Sequence, residues 1–287
     1  MKLSIITINY NNKNGLDKTI ASVLNQTVND FEYIVIDGGS KDGSLEIIKK
    51  YQENLTYWVS EPDNGIYHAM NKGVKQARND YCLFLNSGDV LHDNTVISKI
   101  EQIDGNDDFI IGKVLFLNTL ECSSVEEPLS MLKFYNSSIP HPATFIKRHW
   151  LIKYPYDETL KIVSDWKFFL QCLILCNASC KLLDLIVTDF DTTGISACNK
   201  AKVENERSLV LKELIPNRIL IDYLKFVNGN GYEQSIYDSF FITLRDYNYK
   251  GLIYTCSVLF VRFISLFKKT SRVFRNFPLS LPKHNGE

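Results

Sequence analysis

The sequence has no apolar stretch of the roughly 20 residues that a membrane-spanning helix needs. Its most apolar segment, residues 252–267, is only sixteen residues long and contains Arg262. There is no excess of charge of either sign. The net charge of −1 excludes a general nucleic-acid binder. No G-x-G-x-x-G follows the first apolar run, where only Gly15 lies nearby, and no phosphate loop ending in Gly-Lys-Ser/Thr occurs anywhere. A dinucleotide-dependent oxidoreductase and a P-loop NTPase are thereby excluded. The seven cysteines are odd in number and match no zinc or redox spacing. A reducing compartment is the natural reading. Residues 1–10 run directly into an apparent strand, so no signal peptide is expected. No repeat or low-complexity tract is visible.

What is present is an ordinary globular balance of 287 residues, 45% hydrophobic and 23% charged. That suits one fair-sized domain with an appendage, or two small domains. The charge is unevenly spread. From Lys250 onward seven basic residues face one acid, Glu287, so the tail carries +6 and the remainder −7. Cys172, Cys176 and Cys180 recur every four residues, which on one continuous helix would stack three thiols on a face. Packing thiols are preferred there to a soft-metal site.

Residues 1–90 alternate between two periodicities. Strand-like runs at 3–8, 31–36, 55–59 and 81–85 are separated by helical spacings. These are Leu16, Ile20, Val23 and Leu24, then Leu45, Ile47, Ile48 and Tyr51, then Ile66, Ala69, Met70, Gly73 and Ala77. The alternation predicts a parallel sheet with helices on its faces. Such sheets bind ligands beyond the carboxyl ends of their strands. Three polar clusters fall at those ends: Asn9-Tyr10-Asn11-Asn12, Asp37-Gly38-Gly39-Ser40-Lys41-Asp42, and Asn86-Ser87-Gly88-Asp89. Residues 108–185 combine a strand-like run at 109–116 with a helix starting near Asp165, where Trp166, Phe169, Leu170 and Leu173 share a face. A polar stretch, 189–207, precedes a helical, aromatic-rich region from about Leu209.

In the tail, Leu252, Cys256, Phe260, Phe263 and Phe267 form one helical stripe, and Lys268, Lys269, Arg272 and Arg275 follow. The pattern predicts an interfacial helix drawn to anionic lipid. A helix packed on the main domain, with a solvated basic end, fits the same residues.

Several segments carry a family resemblance. They are Leu3-Ser4-Ile5-Ile6-Thr7-Ile8-Asn9-Tyr10-Asn11, Ser22-Val23-Leu24-Asn25-Gln26-Thr27, Val35-Ile36-Asp37-Gly38-Gly39-Ser40-Lys41-Asp42-Gly43-Ser44, Ser60-Glu61-Pro62-Asp63-Asn64-Gly65-Ile66-Tyr67, Met70-Asn71-Lys72-Gly73 and Phe84-Leu85-Asn86-Ser87-Gly88-Asp89. With these the chain resembles family 2 glycosyltransferases of the GT-A fold, in the branch of colanic acid and other bacterial surface polysaccharides. The likeness is dense over residues 1–90. It thins to Pro140-His141-Pro142-Ala143-Thr144-Phe145 and Ser164-Asp165-Trp166, and does not reach the tail.

The resemblance implies an α/β, Rossmann-like GT-A sheet, mainly parallel, over residues 1–210, with a helical, amphipathic and basic region over 211–287. It implies inverting transfer of a hexosyl or N-acetylhexosaminyl group from a nucleotide-sugar, first of all a UDP-sugar, to a glycan hydroxyl. A departing nucleoside diphosphate gains negative charge, which a hard divalent cation, Mg²⁺ or Mn²⁺, can offset. Asp89 would hold that cation. Asn86 and Gly88 stand where relatives often carry acids, so metal binding would either be weaker or lean on the diphosphate; Asp89 as a turn-forming carboxylate is the bland alternative. Thr7, Asn9 and Tyr10 would line the base and ribose pocket, and Asp37 would bind the nucleoside. Gly39, Glu61, Tyr67, Asn71, Lys72 and Ser87 would border the donor. Asp165 matches the acid that takes the acceptor's proton, although a helix start favours Asp by itself. His141 would meet the diphosphate, metal or acceptor, or else serve a structural hydrogen bond. Asp189 and Asp191 would shape the acceptor side.

The partners so implied are a nucleotide-sugar, a lipid-linked oligosaccharide or other glycan acceptor, and an anionic membrane surface, with no nucleic acid. The expected location is cytoplasmic, peripheral at the inner face of the cell membrane. A rival reading is a catalytically silent sugar-nucleotide-binding or scaffold subunit, motivated by the thinned acidic element.

Overall fold

Every residue of strand β1, Leu3–Asn9, is buried. A strand covered on both faces needs a near-continuous apolar run, which Leu3 to Ile8 supplies. The computed structural model describes residues 1–123, 129–190 and 199–227. In it β1 lies between β2 (Phe31–Asp37) and β4 (Tyr81–Phe84), parallel to both, and β3 (Tyr57–Ser60) lies parallel to β2 on the outside.

Alternate residues of these strands face opposite helix layers. On one face Leu3, Ile5, Tyr33, Val35, Leu83 and Leu85 join a core with Leu16, Ile20 and Val23 of helix α1 (Lys13–Leu24) and Ile48 of α2 (Ser44–Tyr51). On the other face α3 (Ile66–Gln76) lies close against β1. A Cβ at its Gly73 would come within 2.4 Å of Ile6 Cγ2, so glycine sets that approach. The start of α1 is closed by Asn12, whose side chain accepts from Gly15 N at 3.1 Å, an N-cap of the ordinary kind.

The second half makes the sheet mixed. Its elements are β5 (Val90–Leu91), α4 (Val96–Glu101), β6 (Phe109–Phe116), β7 (Glu121–Cys122), α5 (Met131–Asn136), β8 (Thr144–Lys147), α6 (Arg148–Lys153), α7 (Ser164–Phe169), β9 (Cys180–Phe190), α8 (Lys200–Leu214) and α9 (Asn217–Val227). Among the described residues nine strands form one sheet in the order β3-β2-β1-β4-β8-β6-β9-β5, with β7 beside β6. Strands β6 and β9 are parallel, whereas β8 runs antiparallel to both β4 and β6, and β5 antiparallel to β9. The expected α/β sheet flanked by helices is therefore present, with its parallel half formed by the first four strands.

Two expectations are corrected. The thiols do not stack on one helix. Helix α7 continues as a wider π-type turn, Leu170–Leu175, and then stops: Asn177 takes φ 52°, Cys176 is exposed, and Cys180 opens β9. Asparagine tolerates the left-handed conformation that ends a helix there. The helical region expected from about Leu209 begins earlier, because α8 already starts at Lys200. That helix buries only Glu206, Val210 and Leu211, so its first turns carry no apolar stripe to reveal them.

The chain divides into two units after Leu214, and the second is described over residues 215–227. The expected interfacial helix at 252–267, its basic flank and Asp191 lie outside the described residues. Among those described, no helix is long and apolar enough to cross a membrane.

Candidate active site

Parallel pairing brings the last residues of three strands into register, Asn9 beside Asp37 and Asp37 beside Ser60. Asp37 is fully buried. One carboxylate oxygen accepts from Asn9 Nδ2 at 2.6 Å and Ser40 Oγ at 2.6 Å. The other accepts from Ser40 N at 3.0 Å and Ser60 Oγ at 2.6 Å. Burial pushes this carboxyl's pKa up, but the donors from Ser40, Ser60 and Asn9 outweigh it and hold the group below the ordinary carboxylate value. Asp37 thus anchors three strand ends. Asn9 carries the network onward, since its Oδ1 accepts from Ser87 Oγ at 2.7 Å. The three polar clusters do meet on one edge of the sheet.

Around this core, Thr7 is wholly buried and shares a 3.1 Å hydrogen bond with Tyr33 OH. Tyr10 is 68% exposed and free to lie against a ligand ring. Gly39 takes φ +77°, and a Cβ there would stand 3.0 Å from Pro62 N. The tight turn after β2 and the approach of the Glu61-Pro62 backbone both require glycine.

Beyond β4, Asp89 is 5% exposed and its carboxylate accepts from Asn86 N at 3.1 Å. Its own carbonyl accepts from Thr19 Oγ1 at 2.7 Å, which ties the turn to α1. Asn86 Oδ1 is buried without a hydrogen-bond partner. Buried polar atoms are normally satisfied, and an unpartnered amide oxygen on the residue whose backbone N bonds the Asp89 carboxylate is of the chemistry a hard cation takes. Among the described residues no group of three or more His, Cys, Asp or Glu could hold a metal.

The third helix joins this edge to the second half. The Tyr67 hydroxyl reaches Ile162 O at 2.6 Å and Asp165 Oδ1 at 3.0 Å. Burial and the neighbouring Asp165 push the Tyr67 pKa far up, so the hydroxyl stays protonated and donates. Asp165 is the second residue of α7. Asn71 is buried and clamps the following loop, donating to Tyr156 O and Glu158 Oε1, both at 2.9 Å, and accepting from Tyr156 N at 3.0 Å. Lys72 pairs with Glu61 at 2.6 Å, and the lysine holds the Glu61 carboxyl low.

His141 Nε2 is buried without a partner. Burial pushes this imidazole's pKa down, against the pull of Asp165, which favours the neutral ring. The ring stands 6.2 Å from that of Phe84, at the end of β4; Phe84 packs 5.6 Å from Tyr156, and Tyr156 packs 5.7 Å from Tyr67. Asp165, Tyr67 and His141 are therefore gathered around the end of β4. Asp189 is engaged elsewhere, with His92 at 2.6 Å.

Sequence reasoning missed several groups that hold the site. Ser40 had a signal, being three residues past Asp37 in a turn where such side chains bond backbone amides. Ser60 opens one of the segments that carry the family resemblance and stands at a strand end, but no role for it followed from either. Arg207, whose guanidinium lies 4.9 Å over the Trp166 ring, had no local signal. Burial lowers its pKa while Asp165 opposes that shift.

The family model described as Glycosyl transferase family 2 matches residues 4–127. The chain is 31% identical over 206 residues to the uncharacterized glycosyltransferase Rv1514c of Mycobacterium tuberculosis, covering 68% of this chain and 77% of that one. It is 28% identical over 198 residues to the PGL/p-HBAD biosynthesis glycosyltransferase Rv2957 of the same species, covering 67% and 77%. Among solved structures it resembles Staphylococcus aureus TarS 1–349 in complex with UDP-GlcNAc, with a TM-score of 0.56 at 23% identity over 68% of this chain and 59% of that one. It also resembles the mannosyltransferase PcManGT of Pyrobaculum calidifontis in complex with GDP-Man and Mn²⁺, with a TM-score of 0.51 at 15% identity, covering 66% and 56%. The chain thus spans less than two thirds of either solved structure. Likeness at these identities shows a shared fold, the GT-A arrangement.

Proposed function

Because this chain belongs to glycosyltransferase family 2, we propose that it is an inverting transferase acting on a UDP-sugar. It moves a hexosyl or N-acetylhexosaminyl group to a hydroxyl of a bacterial surface glycan. The observation that carries this reading is the Tyr67–Asp165 pair, at 3.0 Å, gathered with His141 around the end of β4. The acceptor hydroxyl gives its proton to the Asp165 carboxylate as its oxygen bonds to the anomeric carbon. The bond to the nucleoside diphosphate breaks on the opposite side. Tyr67 orients Asp165, and neutral His141 offers its unpartnered Nε2 to the incoming ligand. Asn9, Tyr10, Gly39 and Ser87, braced by Asp37 and Thr7, form the floor for the nucleoside. Glu61, Lys72 and the clamped Asn71 border the donor. A divalent cation, Mg²⁺ or Mn²⁺, when bound offsets the charge of the departing diphosphate. Asp89 and Asn86 Oδ1 are the protein oxygens that would hold it.

The donor class is supported by TarS, solved with UDP-GlcNAc. The place in surface-glycan synthesis is supported by Rv2957, named for PGL/p-HBAD biosynthesis. A lipid-linked acceptor at the cytoplasmic leaflet suits the basic tail, which would hold the protein at the inner face of the membrane.

Incubation with Mn²⁺ and a panel of nucleotide sugars tests the reading. UDP release is expected from at least one UDP-sugar, and Asp165→Asn should lower it by about 10²-fold or more. Undiminished turnover of that variant would remove the mechanism. Nucleotide binding without release across the whole panel would favour the silent scaffold. Truncation after Asn248 should abolish binding to phosphatidylserine vesicles; unchanged binding would sink the membrane proposal.

A further inference from the structure

Helix α8 follows Asp165 at a distance in the chain, yet it grips both flanks of that residue. The Glu206 carboxylate accepts from three successive backbone amides: Lys161 N at 3.1 and 3.2 Å, Ile162 N at 2.9 Å and Val163 N at 3.2 Å. These amides lead directly into Ser164 and Asp165 at the start of α7. Ile162 is also the residue whose carbonyl accepts the Tyr67 hydroxyl that reaches Asp165. On the other flank Arg207 covers the ring of Trp166, and its Nη2 donates to Ser137 O at 3.4 Å. Two turns further along, Glu213 pairs with Lys167 at 2.7 Å.

Glu206 is 9% exposed. A carboxylate is placed out of water only where its lone pairs are taken up, and here the donors are the amides of one turn. Bonds of this charge-assisted kind are short and directional. They fix the backbone on which the Tyr67–Asp165 pair is built.

We propose that Glu206 is a positioning residue for glycosyl transfer, holding the turn at 161–163 so that Asp165 faces the acceptor hydroxyl. The proposal rests on the reading of Asp165 as the base. It assigns Glu206 no contact with the nucleotide, whose site lies at the ends of β1 and β2.

The test is a double-mutant cycle in the full-length protein, with UDP affinity and the donor KM measured beside kcat. Glutamine at 206 keeps one acceptor oxygen but turns an amide N–H₂ toward backbone N–H groups. Misplacement of a reacting group by about 1 Å costs on the order of 10²-fold, so Glu206→Gln should lower kcat about 10- to 100-fold. UDP affinity and donor KM should hold within about twofold. In an Asp165→Asn background the same change should cost almost nothing further, because its only route to the reaction is gone. Glu206→Asp keeps the charge and should lose less; it carries the same cycle if the glutamine variant does not fold. Glu213→Gln, which breaks an exposed pair on the same helix, should keep kcat within about twofold.

Multiplying losses in the double variant would overturn the positioning role. So would a kcat loss in Glu213→Gln equal to that in Glu206→Gln, or weakened UDP binding that accounts for the whole defect. Intact activity in Asp165→Asn would instead overturn the base assignment. Impaired Asp165→Asn beside unimpaired Glu206→Gln would overturn only the positioning role.

Discussion

Asp37→Asn removes one charge from the centre of the strand-end network while leaving its size unchanged. Four hydrogen bonds converge on this carboxylate, two per oxygen. An amide has one acceptor oxygen and one donor nitrogen. If the oxygen faces Asn9, the nitrogen meets Ser40 N, a donor that cannot turn. If it faces Ser40 N, the nitrogen meets Asn9 Nδ2, and Asn9 must turn its amide so that Ser87 Oγ accepts from it and gives its own proton to Ile8 O at 3.2 Å. The serine hydroxyls can rotate to suit the second placement, so no buried donor need stay opposed, but all four bonds lose their charged partner. Bonds that lose a charged acceptor weaken by about 1 kcal/mol each. Over the four bonds this predicts a loss of roughly 4 kcal/mol, or about 8–16 °C in Tm for a unit of this size.

The pH dependence sharpens the test. The folded-state pKa of Asp37 is depressed. Its contribution is therefore complete above the unfolded value of about 3.9 and is lost as pH falls through the lower folded value. Urea unfolding of both proteins should show the full gap from pH 7 to pH 5, narrowing below about pH 4. A gap under about 1 kcal/mol at pH 7, or one that stays constant into the acid range, would refute the reasoning.

Tyr67→Phe removes the hydroxyl shared by Ile162 O and Asp165; kcat should fall about tenfold with stability lowered by about 1 kcal/mol, as read by UDP release and urea unfolding. Gly39→Ala forces a Cβ onto a left-handed residue 3.0 Å from Pro62 N. It should destabilise by about 2 kcal/mol and weaken UDP binding in calorimetry. Glu61→Gln breaks the 2.6 Å pair between Lys72 and the 54% exposed Glu61 carboxylate; urea unfolding should be almost unchanged, with any difference shrinking further at high salt.

By itself the sequence determined the local periods and the edge where polar groups collect. Buried parallel strands must be apolar throughout, so 3–8, 31–36 and 81–85 were legible. Polar residues must then follow them at the strand ends, so the cluster of Asn9, Asp37 and Ser87 was legible too. Asp165 at a helix start followed from the family motif and from capping chemistry alike. The tertiary structure alone decided the partners. Asp37 satisfies its four bonds from three strand ends, Tyr67 reaches Asp165 from another helix, and Glu206 holds the turn before α7 from a helix with almost no apolar stripe. Backbone periodicity depends on neighbours three or four residues away and is written locally. A hydrogen bond between distant segments depends on where the folded sheet carries them, and no short stretch of residues records that.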